Sequence, residues 1–514
     1  MIPTNLLYYG DNLEFLRNRE YFPDESVDLI YLDPPFNSAQ SYNVLYKEAD
    51  GTPSTAQVKA FDDTWQWDES AARALHELNT QVRHAPRPLL GLVNSLQEFL
   101  GHSPMFAYLV QMAVRLVELH RVLKPTGSLF LHCDPTASHF LKLVLDGVFG
   151  KRNFRNEIVW HYTGWNKRLR SRLESRHDVI LFYCKRQPFV FNYPTEPWES
   201  KEQYLRIRKQ KLHRDRQGRE YVMSDAGGGK RVKRFIEEAI QYGRPLDDVF
   251  DIDKLTSGEK EALGYDTQKP VKLLKRLIET GSNPGSIIFD PFCGCGTTID
   301  AVESLNHEHP KSHSRLWIGI DVTHLAIDLI KFRLATRFGI TRKEYEVIGE
   351  PTTIEESRAL ALENRHQFQY WALGLIEAKP WGDEKKKGRD RGIDGWRPFI
   401  HGVERSHQKC LVQVKSGKVT SAHIRDLKGT MEREKAELAA FITLEPATAE
   451  MRTEAAAAGF YHSEVMNRDY PRLQILTIEE LLSRPECFLF PPGGEFQPAP
   501  RFVPRKDQQN QMFK

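Results

Sequence analysis

Ser286-Ile287-Ile288-Phe289-Asp290-Pro291-Phe292-Cys293-Gly294-Cys295-Gly296-Thr297-Thr298 is the stretch that decides the fold. Ile287, Ile288 and Phe289 form an apolar run of the length of a buried strand. Asp290 and Pro291 end it. Gly294 and Gly296 carry no Cβ, so the backbone there can turn tightly and approach a ligand. Thr297 and Thr298 can open a helix. Strand, Gly-rich turn and helix together make the cofactor corner of a doubly wound α/β sheet.

The same alternation runs through the first two thirds of the chain. Leu7-Tyr8-Tyr9-Gly10-Asp11-Asn12 reads as a strand ending in a loop with Asp11 at its tip. Val27–Leu32 reads as a strand that runs into Asp33-Pro34-Pro35-Phe36. The two prolines forbid further pairing and stiffen the backbone. A carboxylate therefore stands at the carboxyl end of a strand, where open α/β sheets place their chemistry. Residues 37–104 read as irregular, with Phe61-Asp62-Asp63-Thr64-Trp65 as their most distinctive piece. Leu109, Met112, Leu116, Leu119 and Leu123 recur at steps of three and four and predict a helix with one core-facing stripe. Lys124-Pro125-Thr126-Gly127 stops it. Ser128–His132 and Asp178–Tyr183 predict further strands. His132 and Cys133 have no second pair at zinc spacing, so they read as a packed strand end. Thr267-Gln268-Lys269-Pro270 starts a helix with Leu273, Leu274, Leu277 and Ile278 on one face. Leu316–Asp321 is a strand ending in a carboxylate, and an acidic residue about 20–30 positions beyond a Gly-rich turn holds ribose hydroxyls.

A hydrophobic content of 40% and a charged content of 27% fit a globular chain, and 514 residues predict two to four domains. No apolar run approaches the roughly 20 residues of a membrane helix, and the first residues show no signal-peptide pattern. Six cysteines make no disulfide framework, so the expected location is the reducing cytoplasm. Net charge is only +3, but Lys201–Phe235 holds twelve Lys or Arg against four Asp or Glu. That local excess, around a Gly227-Gly228-Gly229 run, is the footprint of a phosphate-backbone grip rather than a sheet element.

Taken together, Asp33-Pro34-Pro35-Phe36, the Asp290–Thr298 stretch and Thr267-Gln268-Lys269-Pro270 resemble the DNA amino-methyltransferases. The order, catalytic motif first and cofactor motif last, is similar to the beta-class permutation of that family. The resemblance spans about residues 5–345 and implies a circularly permuted, doubly wound Rossmann-like sheet. It implies S-adenosylmethionine as methyl donor and double-stranded DNA as partner. Asp33 and the Pro34 carbonyl would accept the two amine hydrogens, which localises a nitrogen lone pair otherwise delocalised into the base. The stiff Pro34-Pro35 pair preorganises those acceptors. Phe36 would stack on a base that has left the duplex, a step costing on the order of a few kcal/mol. By the same resemblance Asp290, Phe292, Gly294, Gly296 and Thr297 line the donor's amino-acid end. Asp321 would take the ribose, Asp11 the adenine edge, and the segment around Lys269 the donor's carboxylate side. Asp rather than Ser at the first catalytic position resembles the adenine-N6 branch more than the cytosine-N4 branch. The basic insertion, at about residues 185–250, becomes the target-recognition region, its cations mostly positioning phosphates.

Composition shifts after about Glu350, which predicts a linker over residues 351–366, a second domain over 367–490 and a loose tail over 491–514. Gly392-Ile393-Asp394-Gly395 precedes Leu411-Val412-Gln413-Val414-Lys415. Alternation along a strand puts Gln413 and Lys415 on one face, where Asp394 of a neighbouring strand could meet them. This resembles the Mrr-type nucleases of the PD-(D/E)xK group, in which Gln can replace the middle acid. The resemblance implies a smaller α/β restriction-endonuclease-like domain, with Mg²⁺ held at Asp394 and a lysine beside the attacking water. Gln413 in place of an acid removes a negative charge from that site, and Glu377 is the alternative carboxylate; an inactive DNA-binding or scaffolding remnant of the same fold is the contrasting reading of this domain. The expected whole is a site-specific methyltransferase of a restriction-modification or defence system, working as a homodimer or with restriction subunits. A nuclease that uses the transferase fold only to recognise DNA is the contrasting reading. A binder of that kind requires neither an intact Asp33 nor an intact Gly-rich loop.

Overall fold

The computed structural model describes residues 5–35, 41–47, 53–62, 65–80, 85–164, 170–171, 173–256, 259, 261–263, 265, 267–310, 313–381, 392–401 and 406–491. Phe36 and nearly all of the expected tail lie outside the described residues.

Nine strands form one sheet: β1 (Asn5–Tyr9), β2 (Val27–Leu32), β3 (Leu123–Cys133), β4 (Phe154–His161), β5 (His177–Cys184), β6 (Val249–Asp251), β7 (Ile287–Asp290), β8 (Leu316–Asp321) and β9 (Tyr345–Ile348). Their order is β6-β4-β5-β3-β2-β7-β8-β1-β9. β5 runs antiparallel to both of its neighbours, and every other pairing in the sheet is parallel. A parallel sheet is covered on both faces, so its strands are apolar throughout rather than alternating. Accordingly all four residues of β7 are buried. In β2, Ile30 and Leu32 join one core while Leu29 and Tyr31 join the core on the opposite face. The helix Pro104–Val122 covers the first face, and the helices Val271–Gly281 and Thr297–Glu308 cover the second.

The permutation has a simple geometric consequence. β2 pairs directly with β7, Ile288 opposite Leu29 and Phe289 opposite Ile30. β7 pairs in turn with β8, and β8 with β1. Four adjacent parallel strands thus deliver Asp33, Asp290, Asp321 and Asp11 to one end of the sheet, however far apart the residues are in sequence.

Residues 37–104 are more regular than expected. The strands Ser41–Lys47 and Pro53–Asp62 pair antiparallel, and two helices follow at Glu69–Thr80 and Arg87–Leu100. Each helix buries a thin stripe, Ala71, Ala74 and Leu78 in one and Leu89, Val93 and Leu96 in the other. Leu123 is not the last residue of the long helix but the first of β3.

The basic stretch holds a small sheet of its own, apart from the large one. The strands His213–Arg214, Glu220–Asp225 and Arg231–Phe235 pair antiparallel between the helices Lys201–Arg208 and Ile236–Tyr242. Trp198, Tyr204, Val222, Ile236 and Ala239 form its core.

A second sheet is built from β10 (Lys379–Pro380), β11 (Gly395–His401), β12 (Ser406–Lys415), β13 (Leu438–Thr443) and β14 (Leu473–Thr477), in that order. The first two pairings are antiparallel and the last two parallel. Cys410, Val412 and Val414 of β12 face one core and Leu411 the other. The expected linker is instead largely helical. The helix Ile354–Glu363 is started by a reciprocal Thr353–Glu356 capping box, and its Leu360 is buried in the second core. The helix Arg365–Gly374 follows at once.

Candidate active site

The carboxyl ends of β1, β2, β7 and β8 surround a cleft of about 290 Å³. Asp11, Asp33, Pro35, Lys269, Asp290, Phe292, Gly294, Thr297 and Asp321 all line it. The catalytic and cofactor motifs expected from the sequence therefore share one cavity.

The Gly-rich loop is shaped by its glycines. Gly294 and Gly296 have φ of +50° and +77°, in the region L side chains avoid. A Cβ at Gly296 would stand 2.6 Å from Ile330 Cγ1. Gly296 is also the N-cap of the helix Thr297–Glu308. Two carboxylates hold the loop. Asp321 accepts from the Gly294 N–H at 3.0 Å and from the Thr323 N–H and hydroxyl at 2.9 and 2.8 Å. Asp290 accepts from the Phe292 N–H at 3.0 Å and from the Thr298 hydroxyl. Burial pushes the Asp290 carboxyl up to about 7, against the pull of those two donors. Burial raises Asp321 as well.

Asp33 sits beyond β2 beside Pro34, which is buried. Lys269 donates to Asp33 Oδ2 and to the Thr267 carbonyl, the latter at 3.3 Å. Lys269 therefore stands beside Asp33 within the cleft, where the resemblance had placed it on the donor's carboxylate side. Asp33 Oδ1 is buried and has no hydrogen-bond partner among the described residues. A buried acceptor left open in this way is costly unless a ligand fills it.

Asp11 caps the helix Asn12–Arg17 through the Leu13 N–H at 2.8 Å and pairs with Arg115 at 3.0 Å. Arg115 also reaches Asn12 at 2.7 Å, and Asn12 donates to the Pro291 carbonyl at 2.8 Å. This chain ties the Asp11 turn to the Gly-rich loop. Sequence reasoning assigned no role to Arg115, Asn12, Trp65 or Tyr265, all of which line the cleft. The one sequence signal was Arg115 standing among the apolar positions of the helix Pro104–Val122, which marks the residue but not its partners.

Several cations of the basic insertion are spent inside it. Lys201 and Arg214 both reach Glu220, and the Arg219 guanidinium lies 3.7 Å from the centre of the Phe235 ring. Lys230, Arg231, Lys233 and Arg234 remain exposed along and beside one strand.

In the second domain, Asp394 and Lys415 line a separate cleft of about 240 Å³ together with Arg365, His366 and Gln369 of the helix Arg365–Gly374. Asp394 Oδ2 accepts from the Val414 N–H at 2.7 Å. Gln413 is buried, its Oε1 without a hydrogen-bond partner among the described residues. Glu377 is not part of this cleft. It is exposed and paired with Arg397. No group of three His, Cys, Asp or Glu able to hold a metal occurs among the described residues.

The fold and the shared cleft are those of the N6/N4 DNA methylase class. The DNA methylase family matches residues 27–332, and the chain belongs to it; the restriction endonuclease family of Mrr-type catalytic domains matches residues 361–470. The StyLTI Mod subunit, a type III restriction-modification enzyme of Salmonella typhimurium, is 26% identical over 363 residues. That alignment covers 59% of this chain and 50% of the Mod subunit, so the chain spans half the length of that relative. The type II methyltransferase M.EcaI of Enterobacter cloacae is 25% identical over 374 residues, 65% of this chain and 70% of its own. Among solved structures, a DNA modification methylase of Thermus thermophilus complexed with S-adenosyl-L-methionine overlaps 68% of this chain and all of its own. Its TM-score is 0.34 at 17% identity. No described helix is long and apolar enough to cross a membrane.

Proposed function

We propose that the chain transfers a methyl group from S-adenosylmethionine to adenine N6 at specific sites in double-stranded DNA. The observation that carries this reading is Asp33 Oδ1, a buried acceptor left open in the same cleft as the Gly-rich loop. The donor supplies an activated methyl on a sulfonium. Asp290, Phe292, Gly294, Gly296 and Thr297 would hold its amino-acid end, Asp321 its ribose and Asp11 its adenine edge. The buried, raised Asp290 fits a cationic partner, since an ammonium beside it offsets the cost of ionising in a dry site. Asp33 Oδ1 and the Pro34 carbonyl would take the two amine hydrogens, while Lys269 fixes Oδ2. The exposed cations from Lys230 to Arg234 would grip phosphates beside the flipped base. An aspartate at position 33, rather than serine, favours adenine over cytosine N4.

The second domain is a Mg²⁺-dependent DNA nuclease in this reading, acting with the transferase in restriction or defence. Asp394 with the open Gln413 Oε1 would hold the ion, and Lys415 would sit beside the scissile phosphate.

Labelled donor and mixed DNA test the transferase. Asp33→Ala should lose transfer and keep donor binding, and labelled N4-methylcytosine in the digest would move the assignment to cytosine. Mg²⁺-dependent nicking that survives Lys415→Ala would remove the nuclease assignment.

A further inference from the structure

Three carboxylates stand in a row along the cleft. β7, β8 and β1 are neighbours in the sheet. Asp290 and Asp321 are the last residues of β7 and β8, and Asp11 stands two residues past β1. With strands about 4.8 Å apart, the row spans about 10 Å. The Gly10 N–H donates to the Asp321 carbonyl at 2.9 Å, which fixes the last step of the row. In the reading above the three take the donor's amino-acid end, ribose and base, in that order.

Asp290 is buried and tied to its own loop, whereas the Asp11 side chain is 47% exposed. What holds Asp11 comes from another element. Arg115, on the helix Pro104–Val122, donates through Nη2 to both Asp11 oxygens, at 3.0 and 3.2 Å. Its Nε donates to Asn12 Oδ1 at 2.7 Å, and its Nη1 to the Gln111 carbonyl and Oε1 at 3.1 and 2.9 Å. Gln111 is fixed in turn by donating to the Ser70 hydroxyl at 2.9 Å, and Asn12 by donating to the Pro291 carbonyl at 2.8 Å. All three nitrogens of the guanidinium fork are thus engaged. The group is buried, yet it lines the cleft.

A carboxylate offers about four acceptor positions and no donor. The Leu13 N–H takes one on Asp11 Oδ1, and Arg115 takes one on each oxygen. Oδ2 keeps room for one more donor. Pinned in this way, Asp11 receives an amino group and repels a carbonyl. Released from Arg115, a half-exposed carboxylate turns to water, so that it neither rewards the amine nor excludes the carbonyl.

We propose that Arg115 is a positioning residue for the methyl donor: it locks the Asp11 carboxylate at the end of the cleft and makes the site select a 6-aminopurine over a 6-oxopurine. The proposal rests on the transferase reading above and adds which side chain sets the donor's base preference.

Calorimetry on the full chain compares S-adenosylhomocysteine with S-inosylhomocysteine, in which the 6-amino group gives way to a 6-oxo group. Wild type should favour the adenosyl compound by about 10- to 100-fold, the range of one hydrogen bond to a charged group. Arg115→Gln should bring that ratio below about threefold, as for a site with no fixed partner. Arg115→Lys keeps the cation where the first variant fails to fold, but it has no fork and should lose the larger part of the ratio as well. An Arg115 that only docks its helix would weaken both ligands alike and leave the ratio untouched. A wild-type ratio in either variant therefore overturns the proposal, whatever the absolute affinities. A wild type that binds both compounds equally takes the base away from Asp11 and sinks the proposal with the methyl donor still in place. A wild type that binds neither overturns the transferase reading itself.

Discussion

Donor affinity should fall steeply in mild acid, and the cause is one buried carboxyl. Asp290 is raised to about 7 by burial, against the pull of the Thr298 hydroxyl and the Phe292 N–H. A cationic amino group binds its ionised form. The apparent Kd therefore scales as one plus the ratio of protonated to ionised Asp290. That factor is about 2 at pH 7 and about 33 at pH 5.5, so the Kd should rise about 16-fold across the interval. An unshifted aspartate, with a pKa of about 3.9, would change it hardly at all. The donor's own α-amino group stays protonated throughout. Asp321, also raised by burial, acts in the same direction. Titration calorimetry with S-adenosylmethionine at the two pH values measures the effect, and Asp290→Asn should flatten it. A wild-type Kd constant within twofold refutes the reasoning. The sign for stability is opposite. A folded pKa above the unfolded one favours the donor-free fold below about pH 4, and that advantage is lost as pH climbs to about 7. Thermal stabilisation by donor should accordingly grow over the same range.

Four other outcomes follow from particular contacts. Gly296→Ala forces a non-glycine residue to φ +77° and places its Cβ 2.6 Å from Ile330 Cγ1, so it should destabilise by about 1–2 kcal/mol from the backbone alone and weaken donor binding. Gly91→Ala, in the helix Arg87–Leu100 with open space around the new methyl, should stabilise by roughly 0.5–1 kcal/mol; urea titration of the pair checks both signs. Arg333→Met leaves the buried Asp300 with the Ser304 hydroxyl at 3.1 Å and the Arg337 guanidinium at 3.2 Å, and should cost about 3 kcal/mol in the same assay. Glu377→Gln should leave Mg²⁺-dependent nicking within twofold of wild type, because Glu377 faces solvent and Arg397 rather than the cleft of Asp394 and Lys415.

What the sequence made legible is what local chemistry fixes. Val27–Leu32 and Leu316–Asp321 are strands over the residues their apolar runs mark, because a parallel sheet buries both faces of such a run. Asp33 and Asp290 could be named because proline and glycine impose a backbone shape wherever they stand. The partners of those residues were not legible. Nothing in Pro104–Val122 says that Arg115 will reach Asp11 and Asn12, since the contact depends on how the helix docks. His132 read as a packed strand end, and it is packed. Its hydrogen bonds to Tyr31 and Asp178 depend on β3 lying between β2 and β5, an order that periodicity does not contain. The helix Glu69–Thr80 escaped because it buries only a thin stripe among polar residues, whereas Arg87–Leu100 carries Leu89, Val93 and Leu96 at helical steps and was legible.

The stretch after Glu350 shows the same limit from another side. A polar composition reads as a linker when burial is expected on one broad face. Ile354–Glu363 instead buries little more than Ser357 and Leu360, and Arg358 adds an ion pair to Glu445. The next helix divides its surface between two neighbours. Phe368, Trp371, Ala372 and Leu373 enter the second core, whereas Gln367 Oε1 accepts the His324 N–H at 3.1 Å, just beyond the Asp321 turn. Tyr370 packs with Tyr265, Cys295 and Leu325 beside the cleft of Asp33 and Asp290, while Arg365, His366 and Gln369 line the cleft of Asp394 and Lys415. A helix of ten residues is about 15 Å long. One short element thus lines the second cleft and packs, through Tyr370, behind residues that line the first, and its polar positions are those that meet the other domain or the second cleft.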